Sequence, residues 1–147
     1  MMLKLRLALL IASTMPLAAE TKVQMKDVPE AVQKTVKEQS NGAKLKGISK
    51  EIENGRTYYE AETVVSGKSR DVLIDPSGAV VEVEEGTTLA DIPEAARVAL
   101  QKRAGTGKIL SVESITKGST VSYEAAIQNN GKKSEVAVNA DGSPAKD

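Results

Sequence analysis

The chain has 147 residues, 20 of them basic and 20 acidic, and it contains neither cysteine nor histidine. The absence of cysteine excludes disulfides and thiol chemistry, and the absence of histidine removes the commonest general base and metal ligand. Because the two signs of charge are interspersed, the sequence offers no basic surface for nucleic acid and no polybasic face for a membrane.

Residues 1–19 have the layout of a secretory signal peptide. Lys4 and Arg6 precede a short apolar run over 7–12, and Pro16 leads into small residues that end at Ala19. The run is shorter than the roughly 20 residues that a membrane-spanning helix needs. We therefore predict cleavage after Ala19 and a periplasmic or secreted protein. A buried N-terminal helix is the alternative interpretation.

The first predicted element of the mature chain is a helix that begins near Asp27. Asp27 and Glu30 have the spacing of an acidic capping box, and Pro29 is tolerated in a first turn. Apolar or small residues recur at helical spacing over 28–36, which predicts one buried helical face.

Four strands are predicted after this helix, near 44–53, 57–65, 70–75 and 79–84. In the second of them Tyr59 and alternate residues form an inward set, which leaves Tyr58, Glu60 and Glu62 on the other side. The phase of the first strand slips between Leu45 and Ile48, as at a β-bulge. Asp75-Pro76-Ser77-Gly78 has the composition of a type I turn.

The same pattern recurs 64 residues later in the chain. Asp27-Val28-Pro29-Glu30-Ala31 matches Asp91-Ile92-Pro93-Glu94-Ala95, and twelve positions between 27 and 78 are identical at this shift. We therefore predict an α+β fold of two tandem copies, at 20–86 and 87–147, joined by a short polar connection at 84–88. Each copy is a helix packed on a small antiparallel β-sheet of four strands, and the two copies share a core or join their sheets. In the second copy the last strand is short or absent, because only residues 143–147 remain for it.

These motifs resemble the PepSY-like family, whose members are exported bacterial proteins with a fold similar to β-lactamase inhibitor protein. The resemblance covers 26–84 and 90–147, and it lies in the D-[VI]-P-E-A helix start, the Y-E-A strand and the glycine-ended turn. It implies a helix on an antiparallel sheet, no catalysis, and protein binding in an inhibitory or regulatory role.

Enzymatic interpretations of the sequence have little support. Ser66-Gly67-Lys68 is the nearest serine–lysine grouping, but it has the composition of a hairpin turn and its counterpart at 130–132 lacks the serine. Glu60 and Glu62 share a strand face as paired catalytic acids do, yet Glu62 is replaced by Ala126 at the 64-residue shift. A solvated strand face is the simpler interpretation of this pair. We expect no catalytic residue.

A metal site and a cofactor are not expected either. Oxygen donors occur in the two glycine-ended turns and in an acidic segment near them, but neither turn supplies the six or more spaced oxygens that calcium requires. The donors are Asp75, Asn139, Asp141, Glu82, Glu84 and Glu85.

The predicted function is therefore binding of another envelope or secreted protein, such as a peptidase or other hydrolase, with inhibition or modulation as the result. Tyr58, Glu60 and Glu62 are the candidate contact residues, because an exposed tyrosine among acids suits a polar-rimmed protein interface. The alternative is an envelope module that binds a small ligand, a glycan or an ion, or that acts as a scaffold.

Overall fold

The computed structural model describes residues 19–146, so the predicted signal segment at 1–18 lies outside the described residues. A 3-10 turn at Met25–Asp27 precedes the first helix. The strands and helices follow one another along the chain as β1 Ala19–Val23, α1 Glu30–Gln39, β2 Lys44–Glu53, β3 Arg56–Val65, β4 Lys68–Ile74, β5 Val80–Thr87, α2 Glu94–Ala104, β6 Lys108–Lys117, β7 Thr120–Asn129 and β8 Lys132–Asn139.

The eight strands form one antiparallel sheet in which neighbours follow chain order from β1 to β8. The predicted fold of two tandem copies, each a helix on its own small sheet, is therefore wrong. The segment 84–88, predicted as a connection, belongs to β5 as far as Thr87. A continuous sheet leaves fewer strand edges with unpaired backbone groups than two separate sheets would, which is the physical reason for the difference.

The individual strands agree closely with the sequence pattern. The register of β2 against β3 shifts between Leu45 and Gly47, which confirms the predicted bulge. Beyond β8, strand pairing of the described residues is limited to an isolated bridge between Val138 and Pro144, as the short last strand predicted. The sequence did not predict β1, which pairs with β2 along its whole length.

Two compact units can be distinguished among the described residues. The first comprises 19–86 with 115–120, and the second comprises 87–114 with 121–146. Each has its own apolar core under its own helix, and Val32 with Val36 and Ala96 with Leu100 supply the fully buried helical residues. Neither helix of the described chain is long and apolar enough to cross a membrane.

The helix starts differ from the predicted capping box. Asp27 lies in the 3-10 turn, and α1 begins after Pro29 without a side-chain cap. The counterpart Asp91 accepts a hydrogen bond from the Thr88 hydroxyl at 2.7 Å instead of capping α2. Both helices have proline at the N-cap, so the acidic side chain sits too early in the chain to reach the first free amides.

The turn between β4 and β5 packs directly on α1. The carbonyl oxygen of Gly78 accepts a hydrogen bond from the Thr35 hydroxyl at 2.6 Å. A Cβ at Gly78 would lie 2.7 Å from the carbonyl oxygen of Ala31, and the backbone there has φ 88°. A Cβ at Gly142 would lie at the same 2.7 Å from the carbonyl oxygen of Ala95, and the backbone there has φ 83°. Glycine is required at both positions by contact with the helix as well as by backbone conformation.

Gly78→Ala is expected to destabilise the protein by about 3 kcal/mol, because its methyl group meets fixed helix backbone in an unfavourable conformation. Gly67→Ala is the matched control, since Gly67 has a similar φ of 80° but no atom lies within 4 Å of the position that its Cβ would occupy. The control should lose only about 1–2 kcal/mol. Urea unfolding followed by circular dichroism measures both, and equal losses would contradict a tight turn–helix contact.

Candidate functional site: an acidic face of the sheet

The strands of the first unit sort their side chains onto two faces. Tyr59, Ala61 and Val72 lie on the face that packs against α1. On the opposite face the register aligns Glu60 with Leu73, and Glu62 with Asp71. We define the acidic face by seven residues of this opposite side, which are Glu51, Tyr58, Glu60, Glu62, Asp71, Glu82 and Glu84.

The three predicted contact residues do share this face, but they are not equally accessible. Tyr59 is buried on the helix side, as predicted, and Tyr58 on the other side is half-buried. Glu62 is half-buried as well, whereas Glu60 is only 6% exposed. The predicted solvation of Glu60 is therefore wrong, because β3 is an interior strand and its neighbours flank the side chain on both sides.

A group of three carboxylates lies at the centre of the acidic face. Oxygen atoms of Glu60, Asp71 and Glu84 all lie within 4.8 Å of one another. The strand register explains this group, since Asp71 is directly opposite Glu84 and diagonal to Glu60. Carboxylate oxygens are ligands that hard cations accept, but Ca²⁺ takes six to eight of them, so these three could supply only part of a coordination shell.

Glu82, Glu84 and Glu85, which the sequence analysis placed in one acidic segment, contact different residues. Glu82 forms an ion pair with Lys117 at 3.1 Å. Glu85 forms one with Arg70 at 3.4 Å, and Arg70 also donates to the Gln39 side chain at 2.9 Å. Only Glu84 joins the carboxylate group. Asp71 was not among the predicted site residues, because its neighbour across the strands is visible only once the register of β4 against β5 is known.

The oxygen donors in the two turns are already used within the turns. The Asp75 carboxylate accepts bonds from the Ser77 amide at 2.8 Å and the Ser77 hydroxyl at 2.5 Å. The Asp141 carboxylate accepts the same pair from Ser143, at 2.9 and 2.5 Å. Chiefly because of the serine hydroxyl, the pKa of each aspartate lies below its ordinary value of 3.8. These turns are structural elements of the fold.

Asp75→Asn is expected to lower stability at neutral pH but not in acid. A lowered pKa means that the Asp75 carboxylate stabilises the folded state above its unfolded-state pKa, and that this contribution is lost as pH falls through the folded-state pKa. Urea unfolding of both proteins should show a difference at neutral pH that shrinks as the pH falls below 3.8 and through the lowered pKa of the folded state. A difference that persists in acid would contradict the charged hydrogen bonds.

Glu84→Gln is expected to raise stability at low salt by about 1 kcal/mol, because it removes repulsion within a group of carboxylates less than 5 Å apart. The gain should shrink at high salt. Glu85→Gln is the matched control on the next residue, and it should lower stability slightly through loss of the Arg70 ion pair. Thermal unfolding at two salt concentrations tests both, and a loss for Glu84→Gln would contradict net repulsion.

The acidic face is only partly preserved 64 residues later in the chain. Glu60 corresponds to Glu124 and Asp71 to Glu135, but Tyr58 is replaced by Ser122 and Glu62 by Ala126. The second unit nevertheless has a complete core of its own. The tyrosine and the additional acid are therefore not requirements of the local fold.

Comparison with known proteins identifies the fold. No protein-family model matches the chain, and no curated protein matches it significantly. A solved structure from Bacteroides eggerthii, named as a periplasmic protein, has a TM-score of 0.67 at 19% identity, over 81% of this chain and 86% of the other. A DUF2874 family protein from Bacteroides ovatus has a TM-score of 0.63 at 17% identity, over 81% and 85%.

A third solved structure bears directly on the predicted fold. It is a BLIP-like protein from Bacteroides fragilis with a TM-score of 0.59 at 17% identity, over 81% of this chain and 84% of the other. The expectation of a fold similar to β-lactamase inhibitor protein is thus confirmed, while no comparison supports the narrower assignment to the PepSY-like family. The chain has the fold that these three structures share.

Proposed function

We propose that this protein is exported to the periplasm or secreted, has no catalytic activity, and binds another envelope or secreted protein through its acidic face. The observation that carries the proposal is the half-buried Tyr58 beside carboxylates on a sheet face opposite the helix. Such a face offers one amphipathic aromatic anchor within a polar rim, which is the usual anatomy of a protein interface.

Export is supported by three observations. The order of basic, apolar and small residues over 1–19 is that of a signal peptide. Among structures of the same fold, the Bacteroides eggerthii protein is named as periplasmic. A chain without cysteine also suits an oxidising compartment, since it has no thiol to form an incorrect disulfide.

The absence of catalysis is supported by the chemistry of the available groups. The sequence has no histidine or cysteine, and Ser66, which the sequence analysis grouped with Lys68, lies in the exposed hairpin turn between β3 and β4. Ser49, the serine opposite Glu60 in the register, is buried and donates its hydroxyl to the Glu20 carboxylate at 3.1 Å. The BLIP-like fold of one similar structure is consistent with binding rather than turnover.

Charge indicates the chemistry of the partner. Six of the seven residues that define the acidic face are acids, and even with Glu82 paired to Lys117 a protein surface that carries lysine and arginine is complementary to it. Glu62 and Glu84 are half-buried and hence partly accessible beside Tyr58. The bound protein is proposed to be a hydrolase of the envelope, and its inhibition or modulation is the proposed consequence.

The test places a photo-crosslinking amino acid at Tyr58 in the exporting bacterium, with the same substitution at Val98 as the control. Val98 is 54% exposed on α2, which belongs to the second unit rather than to the unit that carries the acidic face. We expect one specific protein adduct at position 58 that is absent at position 98. The adducted protein is then purified and its affinity for this chain is measured.

With that purified protein, Tyr58→Ala should weaken binding by about 1 kcal/mol or more, and the affinity should fall with salt. Ser122→Ala, at the corresponding position of the second unit, should bind as the wild type does. Tyr59→Ala should instead unfold the protein, at a cost of about 3–5 kcal/mol for a buried aromatic side chain. Full affinity of Tyr58→Ala, or equal adducts at both positions, would refute a contact at the acidic face.

A further inference from the structure

Five basic side chains are collected at one end of the second unit. α2 ends at Ala104, β6 begins at Lys108, β7 ends at Asn129 and β8 begins at Lys132. Because the neighbouring strands are antiparallel and only the short connection 105–107 joins α2 to β6, these termini lie together. The five come from three elements, so no basic run is visible in the sequence. We call this surface the basic end and define it by its exposed cations, which are Lys102, Arg103, Lys108, Lys132 and Lys133.

Close contacts hold the segments of the basic end together. The Gly107 amide donates to the Ala104 carbonyl at 2.8 Å. A Cβ at Gly107 would lie 2.9 Å from the Ile127 side chain and 3.1 Å from the carbonyl oxygen of Gln128. Gln128 is in turn the register partner of Lys133. The end of α2, the start of β6 and the start of β8 are therefore fixed around the end of β7.

Acidic residues do not compensate the charge of the basic end. All five cations lie in the segments 98–112 and 125–134, and neither segment contains an aspartate or a glutamate. Within residues 19–146, none of the five forms an ion pair with a carboxylate. Like charges held at one end of a unit repel one another, so an anionic surface that covers them would relieve this repulsion.

Folding does not require this concentration of charge. Three of the five positions lose their cation at the 64-residue shift, where Glu38, Gln39 and Ser69 stand in the first unit. α1 and β4 form there without those charges. The helix dipole favours cations at the end of α2, and lysines on an edge strand oppose aggregation, but each effect needs only one or two charges.

We propose that the basic end binds the anionic phospholipid surface of a membrane. Its connections, 105–107 and 129–131, consist of glycine, threonine and asparagine, so they offer no apolar core to a protein partner. The segments 98–112 and 125–134 contain no aromatic side chain to stack on the bases of a nucleic acid. Lysine supplies four of the five cations, and it is a mobile point charge that suits a diffuse anionic surface.

Attachment of this kind is peripheral and reversible. Each lysine or arginine near an anionic membrane strengthens binding by about five-fold, so the five cations act together. Because the connections at the basic end carry no apolar side chain, the protein would stay among the lipid headgroups and would not enter the hydrocarbon. The inference relies on the proposed export of the chain to the envelope, and it does not rely on binding at the acidic face.

Vesicle sedimentation tests the lipid requirement with the exported chain. Vesicles of phosphatidylcholine alone are compared with vesicles in which phosphatidylglycerol replaces part of the lipid. We expect binding only where phosphatidylglycerol is present, and the bound fraction should fall as the salt concentration rises. No binding to either kind of vesicle, or equal binding to both, would overturn the proposal.

A pair of charge-removing variants tests the position of the surface. Lys102→Gln combined with Lys133→Gln should weaken vesicle binding about twenty-fold, at roughly five-fold for each charge. The matched control combines Lys26→Gln with Arg56→Gln, which removes the same charge from exposed positions of the first unit. Circular dichroism verifies that both variants are folded. Equal losses in the two variants would mean that net charge alone controls binding, and would overturn the proposal.

The natural absence of cysteine allows a fluorescent probe at a single position. Thr106→Cys, exposed in the connection of the basic end, carries an environment-sensitive fluorophore. Ala140→Cys is the control, because it lies beyond the far end of β8, about 25 Å along the strand. Emission from position 106 should shift to the blue on phosphatidylglycerol vesicles, and emission from position 140 should not. Equal shifts at both positions, or a shift at 106 with a soluble acidic polysaccharide and none with vesicles, would overturn the proposal.

Discussion

The register of β3 against β4 is the constraint on which both faces of the first unit depend. Tyr59 lies opposite Ile74, and Glu62 lies opposite Asp71. Because side chains alternate along a strand, a shift of one residue would move the tyrosine out of the core and place a carboxylate in it. The apolar core under α1 and the acidic face on the other side are thus two results of one pairing.

Contact between the helix and the following turn holds this arrangement in place. The Thr35 hydroxyl bonds to the Gly78 carbonyl, which joins the middle of α1 to the turn that begins β5. At the C-terminal end of α1, Arg70 on β4 donates a hydrogen bond to the side chain of Gln39. The helix is therefore attached to β4 and to the turn after it at separate points along its length. These polar contacts restrict its position on the sheet, whereas apolar packing supplies most of its stability.

Local features were predictable from the sequence, and the pairing of distant strands was not. Alternation and turn residues placed β2 to β4 within two residues of their observed ends, and even the bulge after Leu45 was visible as a slip in phase. The sequence did not reveal where β5 ends, because residues 84–88 are polar and were interpreted as a connection. A strand that is paired on both edges can still carry polar side chains on one of its faces. The predicted capping box was also wrong, because proline occupies the N-cap of α1 and Asp27 lies in the preceding turn.

The candidate site, like the fold, could be predicted from the sequence only within single strands. Periodicity put Tyr58 and Glu62 on one side of β3, but it could not reveal that Asp71 and Glu84 come from the next two strands to join Glu60. Periodicity could not predict the burial of Glu60 either, since the exposure of this side chain depends on the neighbouring strands rather than on β3 itself.

The composition of the acidic face is costly for stability, and this cost bears on its role. Carboxylates that are largely buried lose hydration, and three of them within 4.8 Å also repel one another. The second unit forms its core with serine and alanine in place of Tyr58 and Glu62, so neither side chain is needed to complete a helix on a sheet of this kind. Within the close group, however, Glu60 and Asp71 have acidic counterparts in the second unit, Glu124 and Glu135, so the dispensable side chains and the closely spaced carboxylates are different residues. The same penalty would be relieved when a basic partner surface covers the face, so that part of the repulsion stored in the free protein would contribute to affinity in the complex.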